Sequence, residues 1–238
     1  FSTTRYYRND GDGTFTDWTT QSGTSLDGTE MGATVADWDE DGDWDFYVTT
    51  INTNNLYINQ GNNVYTNQAT SAGVVNTGWG WATVAIDFNH DTLVDIAATS
   101  QSLQQYTFIN RGTDPLDFDT VNVGFVSNVS GRGLSNVDID NDGDQDLVIF
   151  PWDGPIKVFR NDLSGPNTNW LRVMLDNGDE ADVPPHGVGS VVKITHQGRT
   201  LIGRVDGGSN YLSQSERSAH FGLGSTTVID EVLVEWSN

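Results

Sequence analysis

The sequence predicts an all-β chain of repeated, multi-stranded blades followed by a smaller β unit, and three observations carry that expectation. The 26 glycines among 238 residues, with many Asn, Asp, Ser and Thr, call for short strands joined by tight turns. A phrase ending in Asn and a turn recurs at Asn9, Asn59, Asn110 and Asn161, with spacings of 50, 51 and 51 residues. An Asp-rich loop opening at Asp37, Asp87 and Asp138 keeps the same beat. Two independent landmarks on one period of 40 to 50 residues describe β-propeller-type blades, three full repeats plus a fragment. Helix is not expected, because no run of ten or more residues combines a 3.6-residue period with caps.

Taken in order, each repeat reads as strand, loop, strand, Asn-turn hairpin. Ala33-Thr34-Val35-Ala36 enters the first loop and Phe46-Tyr47-Val48-Thr49 leaves it. Thr83-Val84-Ala85-Ile86 and Ile96-Ala97-Ala98 bracket the second loop, Ser135-Asn136-Val137 and Leu147-Val148-Ile149-Phe150 the third. The Asn phrases are Tyr6 to Gly11, Leu56 to Gly61, Thr107 to Gly112 and Lys157 to Asp162, with Ile156 to Asn161 reading as an incomplete fourth unit. The beat stops near Gly165-Pro166-Asn167, which divides the chain into residues 1–165 and a β-sandwich or barrel-like domain at 166–238. There Leu171, Val173 and Leu175 alternate, as do Val232, Val234 and Trp236, and Val191-Val192-Lys193-Ile194 is a weaker strand candidate.

With 36% hydrophobic residues the chain can bury a core. Eleven Lys and Arg against 33 Asp and Glu give a formal charge of −22, which repels nucleic acid and anionic lipid and excludes both as partners. The absence of cysteine excludes disulfides, zinc–thiolate sites and thiol catalysis. No apolar run is long enough to span a membrane. The opening at Phe1 reads as the middle of a structural unit, as in a processed or trimmed product.

The loops themselves ask for a cation. Carboxylates at every second position repel one another unless a positive ion sits among them. In Asp37-Trp38-Asp39-Glu40-Asp41-Gly42-Asp43-Trp44-Asp45 the side chains of Asp37, Asp39, Asp41 and Asp45 can converge if the chain turns at Gly42, with Asp43 offering its backbone carbonyl. That is an oxygen-only donor set of the kind calcium takes at about 2.3–2.6 Å. Asp138, Asp140, Asp142, Asp144 and Asp146 repeat it around Gly143. The middle loop supplies Asp87, Asn89, Asp91, the Leu93 carbonyl and Asp95, with Asn89 replacing an acid and Thr92 the turn glycine, so two strong calcium sites and one weaker are expected. An EF-hand would need a bidentate Glu at position 12 and flanking helices; Val48, Ala98 and Ile149 stand there instead, between strands.

These phrases resemble the FG-GAP/VCBS repeat, the blade of integrin-type propellers, and Arg8-Asn9-Asp10-Gly11-Asp12-Gly13-Thr14-Phe15 is similar to its turn. The resemblance covers residues 1 to about 165. The remainder resembles the ASPIC/UnbV domain through Asn169-Trp170-Leu171-Arg172-Val173, Gly187 to Val192, Tyr211-Leu212-Ser213-Gln214 and His220-Phe221-Gly222-Leu223-Gly224, departing from it at Val183-Pro184-Pro185-His186. The resemblance implies secreted or cell-surface proteins with calcium-stabilised propellers used in adhesion and ligand binding, and no common reaction.

Catalysis is not expected. His90, His186, His196 and His220 form no metal pair, no nucleophile elbow is present, and the acidic loops are three copies of one arrangement rather than one distinctive pair of glycosidase carboxylates. His220 reads as structural, His90 as solvent-exposed, and the tryptophans, Trp38, Trp44, Trp79 and Trp81 among them, as core or inter-blade packing before sugar-stacking platforms. Asn128-Val129-Ser130 is a glycosylation sequon. Three units and a fragment do not close a ring, so the expected function is an extracellular structural or adhesion protein, self-assembling or completed by missing blades. The alternative is a carbohydrate- or protein-binding adhesin, with surface proteins or glycans as partners.

Overall fold

Short apolar runs broken by Gly- and Asn-bearing turns produce an all-β architecture in the computed structural model, which describes residues 4–24, 28–125, 128–178, 180 and 182–237. An N-terminal hairpin of β1 (Tyr7–Asn9) and β2 (Phe15–Asp17) leads into a single helical turn, α1 (Thr19–Ser22). The first blade is an antiparallel meander of β3 (Glu30–Ala36), β4 (Asp45–Thr50), β5 (Asn55–Asn59) and β6 (Tyr65–Asn67). The second repeats it with β7 (Gly80–Ile86), β8 (Asp95–Ser100), β9 (Tyr106–Asn110) and β10 (Phe118–Val121). The third contains β11 (Gly131–Val137), β12 (Asp146–Pro151) and β13 (Lys157–Phe159). The segment from Ile156 to Asn161 therefore supplies the third strand of this blade rather than opening a fourth.

The C-terminal part forms two small sheets. β14 (Asn169–Val173) pairs with β17 (Ala219–Gly224), while β15 (Val191–His196) lies between β16 (Arg199–Arg204) and β18 (Glu231–Glu235). The weaker strand candidate at Val191–Ile194 is thus the middle of its sheet, with Val192 and Ile194 fully buried. Lys193 and Thr195 alternate with them toward the other face.

The apolar positions of each blade pack against the next. Tyr47, Leu56 and Ile58 of the first blade meet Ile96, Ala98 and Phe108 of the second, and Val84, Ile86 and Ala97 of the second meet Leu134, Leu147 and Ile149 of the third. Each Val, Leu, Ile or Phe among them is worth about 1.5–3 kcal/mol on full burial. Blades are also tied edge to face by hydroxyls. The Thr49 hydroxyl bonds the Trp81 carbonyl of β7, and the Thr99 hydroxyl donates to the Arg132 carbonyl of β11 at 3.1 Å. At the same place in the third blade stands Phe150, which cannot make that bond. A C-terminal segment takes over instead: the Leu134 and Asn136 amides donate to the Ser213 and Ser215 hydroxyls at 3.0 and 3.2 Å, and the Glu216 amide donates to the Asn136 carbonyl at 3.2 Å. The third blade is thereby capped by its own chain.

Candidate metal centre

All three Asp loops join the first two strands of their blades and share one backbone course. Residue four is left-handed in each, with Glu40, His90 and Asn141 at φ 59°, 59° and 61°. Residue six is left-handed too, with Gly42 and Gly143 at 91° and 96° and Thr92 at 83°. Thr92 is β-branched and pays strain there that glycine avoids.

The ends of the loop hold this course with carboxylates. Asp37 accepts the amides of Asp41 and Gly42 at 3.1 and 3.0 Å, Asp87 those of Asp91 and Thr92 at 3.1 and 2.8 Å, and Asp138 that of Gly143 at 3.1 Å. The ninth residue accepts two amides as well. Asp45 takes those of Trp38 and Asn59 at 3.0 and 2.8 Å, Asp95 those of Phe88 and Asn110 at 3.0 and 2.8 Å, and Asp146 those of Ile139 and Asn161 at 2.9 and 2.8 Å. The two landmarks of the repeat are therefore joined by one buried carboxylate. The Asn side chain then reaches the preceding blade: the Asn110 amide donates to the Trp38 carbonyl at 3.3 Å, and that of Asn161 to the Phe88 carbonyl at 2.9 Å. Sequence reasoning registered these asparagines as a beat but not as an inter-blade clasp.

Burial gives the end carboxylates unusual chemistry. With no cation beside them, desolvation pushes Asp37 up to about 6, Asp87 to about 7, and Asp45 and Asp95 to about 8. Asp39, Asp144 and Asp146 are raised for the same first reason. The exposed middle of the loop differs between copies. Oxygens of Asp37, Asp39 and Asp41 lie within 4.8 Å of one another, as do those of Asp138, Asp140 and Asp146. Asp138 Oδ1 is buried with no hydrogen-bond partner among the described residues, a donor left for a cation. In the middle loop the Asn89 amide donates to Asp91 at 2.9 Å, and no such group of three acids forms among the described residues. Asp43, Leu93, Asp142 and Asp144 lie in the same turns; the Asp43, Leu93 and Asp144 amides donate to Asp41, Asp91 and Asp142.

The C-terminal strands roof these loops, an arrangement not visible in the spacing. Arg172 of β14 places Nη1 3.0 Å from Asp138 Oδ2 and 3.4 Å from Glu216. Arg199 bonds Glu40 and donates to the Thr92 hydroxyl at 3.0 Å. A Cβ on Gly222 would lie 2.0 Å from Asp87 Oδ2, so only glycine lets β17 pass over the middle loop. His90, expected in solvent, is fully buried under this roof. Its Nδ1 lies 3.1 Å from the Thr168 carbonyl, and its backbone carbonyl accepts the Gly224 amide at 2.7 Å. The structural reading of His220 agrees with its position: Nε2 is 2.9 Å from the Gly143 carbonyl, and burial lowers its pKa to about 4. Trp38 is core, whereas Trp79 remains partly exposed and stacks on Trp81.

Comparison with known proteins agrees with this architecture. A family model described as FG-GAP-like repeat matches residues 1–48 and 37–98, and one described as ASPIC and UnbV matches 181–238. The chain is 29% identical over 259 residues to Cartilage acidic protein 1 of Homo sapiens, covering 97% of this chain and 36% of that protein. The Xenopus tropicalis protein of the same name is 28% identical over 92% of this chain, and that of Mus musculus 29% over 97%. The chain spans about a third of the length of these relatives (35 to 37%). FG-GAP-like repeats are thus matched over residues 1–98 and an ASPIC and UnbV domain over residues 181–238.

Proposed function

We propose that this chain is a calcium-stabilised structural or adhesion module of an extracellular assembly, in which a repeat domain at residues 1–165 is locked by a C-terminal domain at 166–238. The observation that carries the calcium reading is the third loop, where three carboxylates converge and the buried Asp138 Oδ1 has no hydrogen-bond partner among the described residues. The donors are all oxygen, which suits a hard cation and not zinc or copper. Asp37, Asp39, Asp41 and Asp45, with the Asp43 carbonyl, would hold one ion. Asp138, Asp140, Asp142 and Asp146, with the Asp144 carbonyl, would hold a second. Asp87, Asn89, Asp91 and Asp95, with the Leu93 carbonyl, would bind more weakly, since Asn89 adds no charge. The role is binding rather than catalysis, because the acidic constellation is one arrangement used three times. The extracellular placement is supported by relatives named for cartilage and by a surface as acidic as their name.

Thermal unfolding in calcium and in EDTA, at two protein concentrations, tests the proposal. A ligand at 100 times its Kd stabilises by about 2.7 kcal/mol per site. Calcium is expected to raise Tm, and the double variant Asp39→Ala, Asp140→Ala to lose most of the rise. An unchanged Tm would refute the metal reading, and a concentration-dependent one would add self-association.

A glycan-binding adhesin is the second reading. It is favoured by a row in which Arg132 lies 3.9 Å over Trp81 and 5.5 Å from Trp152, beside the stacked Trp79. Glycan-array binding lost in Trp79→Ala and Trp152→Ala would support it.

A further inference from the structure

The third blade ends at its third strand, and the place of a fourth is laid out by the repeat. In the hairpin and in both complete blades the residue paired with the repeat Asn is aromatic: Phe15 faces Asn9, Tyr65 faces Asn59, and Phe118 faces Asn110. Asn161 is the next in this series, and among the described residues no strand pairs with the outer edge of β13.

A second feature points to the same vacancy. Gly23, Gly73 and Gly124 recur at spacings of 50 and 51 residues. All three are left-handed, at φ 77°, 79° and 84°. A Cβ on Gly23 would lie 2.8 Å from the Tyr65 carbonyl, and one on Gly73 3.3 Å from the Phe118 carbonyl. The glycine thus gives room to the aromatic residue of the following blade's fourth strand. A Cβ on Gly124 would meet none of the described residues within 4 Å. The face beside it is equally bare. Val158 is 57% exposed, whereas its counterparts Leu56 and Thr107 are 0% and 1% exposed.

We propose that the groove between the outer edge of β13 and Gly124 accepts an extended polypeptide segment from outside these 238 residues, antiparallel to β13 and with an aromatic residue opposite Asn161. The mode is strand addition, in which backbone hydrogen bonds give affinity and the aromatic residue sets register. The neighbouring chain cannot fill the groove, because the Leu163 amide is tied to Asp144 and the backbone turns away toward His90. The β2 strand is already committed to β1. Outside polypeptide exists in the relatives, of which the matched stretch makes up 36% in the human protein.

The sister blade supplies a probe and a control. There the Gln68 amide donates to the Leu56 carbonyl at 2.8 Å and the Gln60 amide to the Val64 carbonyl at 2.7 Å. Residues 56, 58 and 60 therefore turn their backbone groups toward the fourth strand. Their counterparts are Val158 of β13 and, just beyond it, Arg160 and Asp162. Val158→Pro removes an outward amide without touching a bond to β12.

The experiment is fluorescence anisotropy of a labelled peptide with the sequence of residues 61–68, titrated with the whole chain in calcium. Saturable binding is expected, weakened at least tenfold by Val158→Pro, by Gly124→Ala and by alanine in place of the peptide's tyrosine. Gly124→Ala leaves β13 untouched and decides the matter if Val158→Pro does not fold. No binding at millimolar protein, or equal binding by wild type and both variants, would overturn the proposal. A dimer that the peptide dissociates would also overturn it, because a second copy would then fill the groove.

Discussion

The first and middle loops follow the same backbone path with different contents. In both, the ninth carboxylate accepts two amides at 2.8 to 3.0 Å, and the first carboxylate accepts two more. Yet the first loop gathers three acids around one point, while the middle loop spends Asn89 on Asp91 and hides His90 beneath β17. The end residues therefore build the turn, and residues three and five decide what it can hold. A loop can lose much of its ligand set and keep its shape, because buried amides need acceptors whether or not a cation is present.

Breaking the shared part has the largest expected effect. Asp95→Ala leaves the Phe88 and Asn110 amides without acceptors and should cost about 3–5 kcal/mol, with unsatisfied buried donors at about 1–3 kcal/mol each. Tm should fall by roughly 10 °C, since about 2–4 °C follows each kcal/mol in chains of this size. The drop should persist in EDTA; a drop seen only in calcium would return Asp95 to the role of ligand alone. Gly222→Ala attacks the crossing of β17 over the middle loop. Its Cβ collides with Asp87 and the His90 backbone, so about 2–3 kcal/mol of stability should be lost by urea unfolding.

The pH dependence sharpens the comparison further. Asp45 and Asp95 at about 8, Asp87 at about 7 and Asp37 at about 6 bind protons more tightly folded than unfolded, where the value is about 3.8. Their protonated forms favour the fold, so in EDTA Tm should fall by several degrees as pH rises from about 5 to 8. On the calcium proposal a bound ion would replace those protons and should flatten the slope; equal slopes with and without calcium would disprove it. The smallest effect is expected from Thr92→Gly. It relieves a left-handed threonine, worth about 1 kcal/mol, and removes the hydrogen bond from Arg199, worth about 0.5–1 kcal/mol. A rise in Tm of one or two degrees by calorimetry is the expected net.

Legibility followed the range of the interactions. The loops could be read because Asp, Gly and spacing act within nine residues, and the strands around them because apolar alternation is local. His90 was misread for the complementary reason: nothing near it in the chain announces that Gly222 and Gly224 lie above it, more than 130 residues on. Val191–Ile194 reads as a weak strand because its central place depends on pairing with both β16 and β18, which lie outside that segment. The asparagine beat was seen, but its purpose needed two blades side by side.

By itself the sequence determined the all-β class, the fifty-residue repeat, the three loops and their oxygen donors, because each depends on backbone propensity or on side chains that meet within one turn. Only the tertiary structure decided which C-terminal side chain covers each loop, and how one blade is clasped to the next. It also decided that the third blade, capped on its inner strand by residues 210–216, has no strand on its outer edge among the described residues. Those outcomes depend on contacts between residues 34 to 159 positions apart, whose geometry is set by how whole sheets pack.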